Sequence, residues 1–205
     1  MLGNHGRSLA SAVFSKPAKI LAKRGVSPNA VTVAGTVINV ALAMGLLARG
    51  YLALGAVLIG VTAFADSLDG VLARLTNQVS QFGAFLDSSL DRLADGAIFG
   101  SLLYWAIAGL TPGSVRTASI ICAICALVGA AAVPYVRARG EAFGVVAKVG
   151  IGERTDRLIV ALVGAGITDL GAPLICFPLA LGWVAFASFV TVCQRIYFVR
   201  KHIDQ

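Results

Sequence analysis

The chain has 205 residues, 58% hydrophobic and 13% charged, with a mean hydropathy of +0.84. A soluble domain carries about a quarter charged residues, so this composition excludes a soluble globular enzyme, a disordered tail and a disulfide scaffold. The formal net charge of +7, from 17 basic and 10 acidic residues, would suggest a nucleic-acid partner in a soluble protein. In a membrane chain its placement sets orientation instead, and no nucleic acid is expected.

Residues 1–25 lack an apolar stretch long enough for a cleavable signal peptide. Leu9, Val13, Phe14, Ile20 and Leu21 alternate there with Lys16, Lys19, Lys23 and Arg24, which predicts an amphipathic helix lying in an anionic leaflet. Ser27-Pro28-Asn29 then opens the first span, a capping residue followed by a proline suited to a helix start. Charge-free runs cover 25–48, 50–65, 96–115, 117–136, 158–168 and 170–194. An α-helix needs about 20 mainly apolar residues to cross a bilayer. The expectation is therefore an all-α membrane protein with six transmembrane helices, at 29–48, 51–74, 84–109, 115–138, 155–174 and 176–200, forming one domain over 26–205. The run 75–86 is too polar to span and reads as a turn. The fifth helix is short enough that it must begin early and take Arg157 inward.

With an even number of spans both termini share a side. Fifteen basic residues fall on or near that side, and only Arg49 and Arg116 fall on the other. The positive-inside rule then predicts a multi-pass protein of the plasma membrane with both termini, and the site described next, on the cytoplasmic face.

Five of the ten acidic residues lie between 66 and 95. Asp66 and Asp69 are three apart and Asp87 and Asp91 four apart, so each pair shares a helix face. A short turn makes the two helices neighbours, which lets four carboxylates converge. Such a group needs compensation, either by protonation or by divalent cations, and oxygen-only ligands favour Mg²⁺, Mn²⁺ or Ca²⁺. A divalent-cation transporter would use similar acids, but it needs no Gly70-x₂-Ala73-Arg74 beside them and is ill served by arginines in later helices.

The string Asp66-x₂-Asp69-Gly70-x₂-Ala73-Arg74-x₈-Gly83-x₃-Asp87-x₃-Asp91 resembles the signature of the CDP-alcohol phosphotransferases, membrane enzymes of phospholipid synthesis. The resemblance implies a site of two Mg²⁺ or Mn²⁺ ions held by Asp66, Asp69, Asp87 and Asp91, with Asp91 also the general base. It implies CDP-diacylglycerol as donor, contacted by Asn29, Ala30, Val31, Thr32, Asp66, Asp69, Gly70, Ala73, Arg74 and Ser80. A homodimer is also implied.

Arg137, Arg139, Arg154, Arg157 and Arg195 favour an anionic acceptor, because guanidinium forks bind phosphate in a bidentate way. The stretches Gly152-Glu153-Arg154-x-x-Arg157, Gly164-Ala165-Gly166, Gln194-Arg195 and Ala138-Arg139-Gly140-Glu141 resemble the actinobacterial phosphatidylinositol-phosphate synthases. That resemblance implies inositol phosphate as acceptor, held by Arg137, Arg139, Arg157 and Arg195, with phosphatidylinositol phosphate and CMP as products. Phosphatidylglycerol-phosphate synthesis from glycerol 3-phosphate is the nearest alternative. Pro134 and Arg137 depart from the Ser-x-x-Lys-x-Arg pattern expected there, and Pro134 is a candidate kink. Cys122-x-x-Cys125 lies in an apolar span and reads as packing rather than redox chemistry.

Overall fold

A computed structural model describes residues 14–203, and these are helical or connecting, with no strand among them. Helix α1 covers 14–23, α2 Pro28–Gly45, α3 Leu52–Ala65, α4 Ser67–Leu75, α5 Gln81–Ala108, α6 Ser114–Ala142, α7 Arg154–Asp169 and α8 Cys176–His202, with a short 3₁₀ turn at Leu47–Arg49. Leu9 and Val13 of the expected amphipathic helix lie outside the described residues.

Four stretches are long and apolar enough to cross a membrane: Pro28–Arg49, Leu52–Leu75, Ser114–Ala142 and Cys176–His202. Helix α5 carries Asp87, Asp91 and Arg92 in its first half and Asp95 just past its midpoint. Helix α7 has 16 residues, about 24 Å at 1.5 Å per residue.

The expected boundaries shift where turn chemistry intervenes. Ser27 Oγ accepts the Ala30 N–H at 3.3 Å and Pro28 opens α2, as a cap and a pre-set first residue require. The expected second helix is resolved into α3 and α4, which meet at Asp66. The turn that follows is confined to 76–80, with Asn77 in the left-handed region at φ 55°, a conformation asparagine tolerates.

Helix α6 runs four residues beyond its expected end, and α7 stops five short of 174. One device explains both. Gly144 (φ 80°) and Gly171 (φ 102°) adopt left-handed conformations. Val145 N–H then reaches back to Gly140 O at 2.9 Å, and Ala172 N–H to Ile167 O at 3.0 Å, so that carbonyls left over at each helix end are satisfied. Pro134 lies inside α6, which stays helical from 114 to 142.

The described residues divide into two compact units, 14–42 with 58–94 and 43–57 with 95–203. In the first, Ala18, Val71 and Leu72 are buried with Phe14, Leu21, Ala22, Val31 and Leu68 packed against them. The apolar face of α1 is thus spent on α2 and α4, while Lys16, Lys19 and Lys23 stay exposed. In the second, α8 packs along α6 and α7. Small residues make that approach possible: a Cβ on Gly164 would stand 2.2 Å from Ala180 Cβ, and one on Gly129 2.6 Å from Ser188 Cβ. Asp169 Oδ2 accepts the Ala53 N–H at 2.8 Å, so the last residue of α7 caps the start of α3.

Candidate active site

In the first unit the acids stand opposite a polar stripe on α2. Thr32, Gly35, Thr36 and Asn39 recur at helical spacing, and Thr32, Thr36 and Asn39 are buried. Thr32 donates its hydroxyl to Asp69 Oδ2 at 2.6 Å, while Asp69 Oδ1 accepts the Gly70 N–H. Both oxygens of Asp69 are therefore oriented. A Cβ on Gly35 would stand only 2.9 Å from Asp66 Oδ1, so α2 omits a side chain where the Asp66 carboxylate approaches. Thr62, one turn before Asp66, donates to Asn39 Oδ1 and ties the end of α3 to the same stripe.

A cavity of about 400 Å³ opens beside these residues. Pro28, Asn29, Thr32, Asp69, Gly70, Ala73, Arg74, Gln78, Val79, Ser80, Gly83, Ala84 and Asp87 line it. Seven of the expected donor-lipid contacts are among them: Asn29, Thr32, Asp69, Gly70, Ala73, Arg74 and Ser80. Ala30 and Val31 do not line it, and Val31 packs into the core. Gly70 leaves open space, since the nearest atoms to an added Cβ are the tips of Arg74 at 3.8 and 4.0 Å. Ser80 Oγ accepts the Gly83 N–H at 3.0 Å, so it caps α5 as well as facing the cavity. Gly83 is the close-approach point: a Cβ there would lie 3.2 Å from Ser80 Oγ and 3.3 Å from Asn29 Oδ1.

Asp69 and Asp87 share the cavity, whereas Asp66 and Asp91 do not line it. Asp91 lies 3.6 Å from Arg92 Nη2. Among the described residues no three His, Cys, Asp or Glu side chains are gathered into a ready cluster. The donor set still suits a hard divalent cation, being carboxylate oxygen throughout, with Asp69 pre-oriented by Thr32 and an open cavity beside it.

The arginines expected to favour an anionic acceptor belong to the second unit. Arg157 and Arg195 are 3% and 9% exposed, and both hold backbone carbonyls. Arg157 Nη1 donates to Gly152 O at 2.9 Å; Arg195 donates Nε to Val149 O at 3.0 Å and Nη1 to Val133 O at 2.7 Å. Arg137 and Arg139 are exposed near the end of α6. Arg137 Nε pairs with Glu141 at 2.9 Å, and Arg139 lies over the Phe143 ring, 5.1 Å from its centroid. Arg154 pairs with the buried Asp95 at 3.0 Å. Sequence spacing gave no sign of that pair, whose partners are 59 residues apart.

Residues 25–192 match the CDP-alcohol phosphatidyltransferase family. A phosphatidylinositol phosphate synthase of Corynebacterium glutamicum is 39% identical over 202 residues, covering 98% of this chain and 90% of that one. One from Mycolicibacterium smegmatis is 42% identical over 192 residues, covering 91% and 84%. Among solved structures, the Mycobacterium tuberculosis phosphatidylinositol phosphate synthase in complex with manganese and citrate superposes with a TM-score of 0.86 at 33% identity, over 91% of this chain and 88% of that one. Its form with CDP-DAG bound gives 0.85 at 34%, over 92% and 94%.

Proposed function

The chain belongs to the CDP-alcohol phosphatidyltransferase family, and from that premise we propose that it moves the phosphatidyl group of CDP-diacylglycerol to inositol phosphate, giving phosphatidylinositol phosphate and CMP. The observation that carries this reading is the cavity in which Asp69, Asp87, Arg74, Gly70 and Ala73 of the acidic signature come together. The relatives named as phosphatidylinositol phosphate synthases support the choice of acceptor.

Asp66, Asp69, Asp87 and Asp91 are the residues that would hold two divalent cations, Mg²⁺ or Mn²⁺, and such ions neutralise charge on a diphosphate and its leaving group. The manganese complex of a relative supports divalent-metal use. Thr32 keeps Asp69 in one orientation. Gly70 and Ala73 leave room for the nucleotide along α4, and Arg74 meets its phosphates. Asp91 takes the proton of the acceptor hydroxyl; that oxygen bonds to the lipid-linked β-phosphorus as the bond to the CMP oxygen breaks. Arg137, Arg139, Arg157 and Arg195 hold the acceptor phosphate.

The protein crosses the plasma membrane six times, with α5 and α7 as the additional spans, both termini cytoplasmic and α1 at the surface of the anionic leaflet. It works as a homodimer. The test is turnover of purified protein with CDP-diacylglycerol and Mg²⁺ or Mn²⁺, offering inositol phosphate, glycerol 3-phosphate and free inositol in turn and following CMP and lipid product. Turnover with inositol phosphate alone is expected. Turnover only with glycerol 3-phosphate would keep the family and overturn the acceptor.

A further inference from the structure

The segment 143–153 between α6 and α7 is not helical, yet side chains of α7 and α8 grip its backbone. Thr191, fully buried on α8, accepts the Gly152 N–H at 3.1 Å and donates its own hydroxyl to Ala187 O at 2.7 Å. The Gly152 carbonyl in turn accepts from Arg157 Nη1 at 2.9 Å. One peptide residue thus links a buried hydroxyl to a buried guanidinium. Arg195, one turn further along α8, holds Val149 O three residues earlier in the same segment. The contact is close as well as polar: at Gly150 (φ 143°) a Cβ would stand 2.4 Å from Thr191 Cγ2.

We propose that Thr191 is a positioning residue for the anionic acceptor: it pins Gly152, and Gly152 fixes the guanidinium of Arg157. The inference rests on the reading that Arg157 binds the acceptor phosphate. An arginine has five donors in a rigid fork, and one spent on a fixed carbonyl sets the plane in which the fork lies. The cost of ordering a rotamer-rich side chain is then met during folding rather than on binding. Removing the Thr191 hydroxyl leaves the Gly152 N–H buried without that acceptor, so the segment shifts to find another and Arg157 moves with it.

The experiment compares Thr191→Val, which keeps the shape, with Thr191→Ser, which keeps the hydroxyl, in the full-length membrane-reconstituted protein. Steady-state KM for each substrate, kcat and the unfolding midpoint are measured. Loss of the hydrogen bond that pins Gly152 predicts a rise of about tenfold in KM for inositol phosphate in Thr191→Val, with KM for CDP-diacylglycerol changed less than about twofold. Thr191→Ser is expected to restore the acceptor KM. Equal rises in both KM values, a loss confined to kcat, or no change in Thr191→Val would overturn the proposal. Arg157→Lys, which keeps a cation in the buried position, separates this from the reading beneath it. If Arg157→Lys leaves the acceptor KM unchanged, the acceptor site itself is wrong. If Arg157→Lys raises it and Thr191→Val does not, only the link through Gly152 fails.

Discussion

Asp69 and Arg195 both sit in stretches apolar enough to cross a membrane, but they are held by different kinds of partner. Asp69 takes a side-chain hydroxyl from Thr32 and the N–H of its own neighbour, and it faces a cavity. Arg195 takes the main-chain carbonyls of Val133 and Val149, 62 and 46 residues away. Val149 lies outside any helix, so its carbonyl has no helical donor. Away from water such a group must be satisfied internally. Asp69 and Asp87 are thus placed by helix spacing beside a cavity, whereas the buried arginines complete the backbone.

The two regions should therefore fail differently. Asp91→Asn is expected to lower the rate of CMP release by roughly 10²–10⁴-fold, the range for a lost general base, while the unfolding midpoint barely moves. Unaltered turnover would remove Asp91 from proton transfer. Asp95→Ala, in the unit that carries Arg154, Arg157 and Arg195, should do the reverse. It removes the Asp95 carboxylate from Arg154 and costs about 3 kcal/mol of stability, the low end for a broken buried pair, because the Arg154 side chain keeps 28% exposure. Thermal unfolding in detergent measures it, and an unchanged midpoint would show that the pair is not structural.

Gly35→Ala sharpens the contrast from the acid side. Its new Cβ would meet Asp66 Oδ1 at 2.9 Å, so the carboxylate must turn away. A fall in kcat/KM of about tenfold is expected, equivalent to about 1.4 kcal/mol. Direct titration of Mn²⁺ without turnover should show weaker binding as well. Unchanged Mn²⁺ affinity would separate Asp66 from the metal site. Arg137→Lys gives the smallest effect on stability. Its partner Glu141 is four residues away and both side chains are over 40% exposed, which limits the pair to about 0.5 kcal/mol. A larger shift in the unfolding midpoint would mean that Arg137 does more than pair along α6.

The order of helices was legible because apolar runs and charge clusters punctuate the chain, and the acidic signature was legible because its spacing matches one helix face. The ends of α6 and α7 were not. Gly144 and Gly171 stop them by turning the chain so that the next residue donates its N–H to a carbonyl five residues back, and a glycine-rich membrane sequence offers many such candidates. The split at Asp66 was also invisible, since both sides of it are helical in pattern. Within the site, the α4 residues and, on α5, Gly83 and Asp87 were found by motif, while Ala84 was not. Gln78 and Val79 were missed because they enter the cavity from a turn, where side-chain direction has no periodic rule.

By itself the sequence determined a helical membrane chain, its order of helices and an all-oxygen acidic constellation. Those follow from hydropathy, charge and the 3.6-residue period, which are local properties. The tertiary structure decided which polar groups satisfy one another: Thr32 on Asp69, Arg154 on Asp95, Thr191 on Gly152 and Arg195 on Val149. Each of these pairs spans more than 35 positions. Their partners are chosen by which unsatisfied donor and acceptor meet when apolar surfaces pack, and that meeting leaves no pattern along the chain.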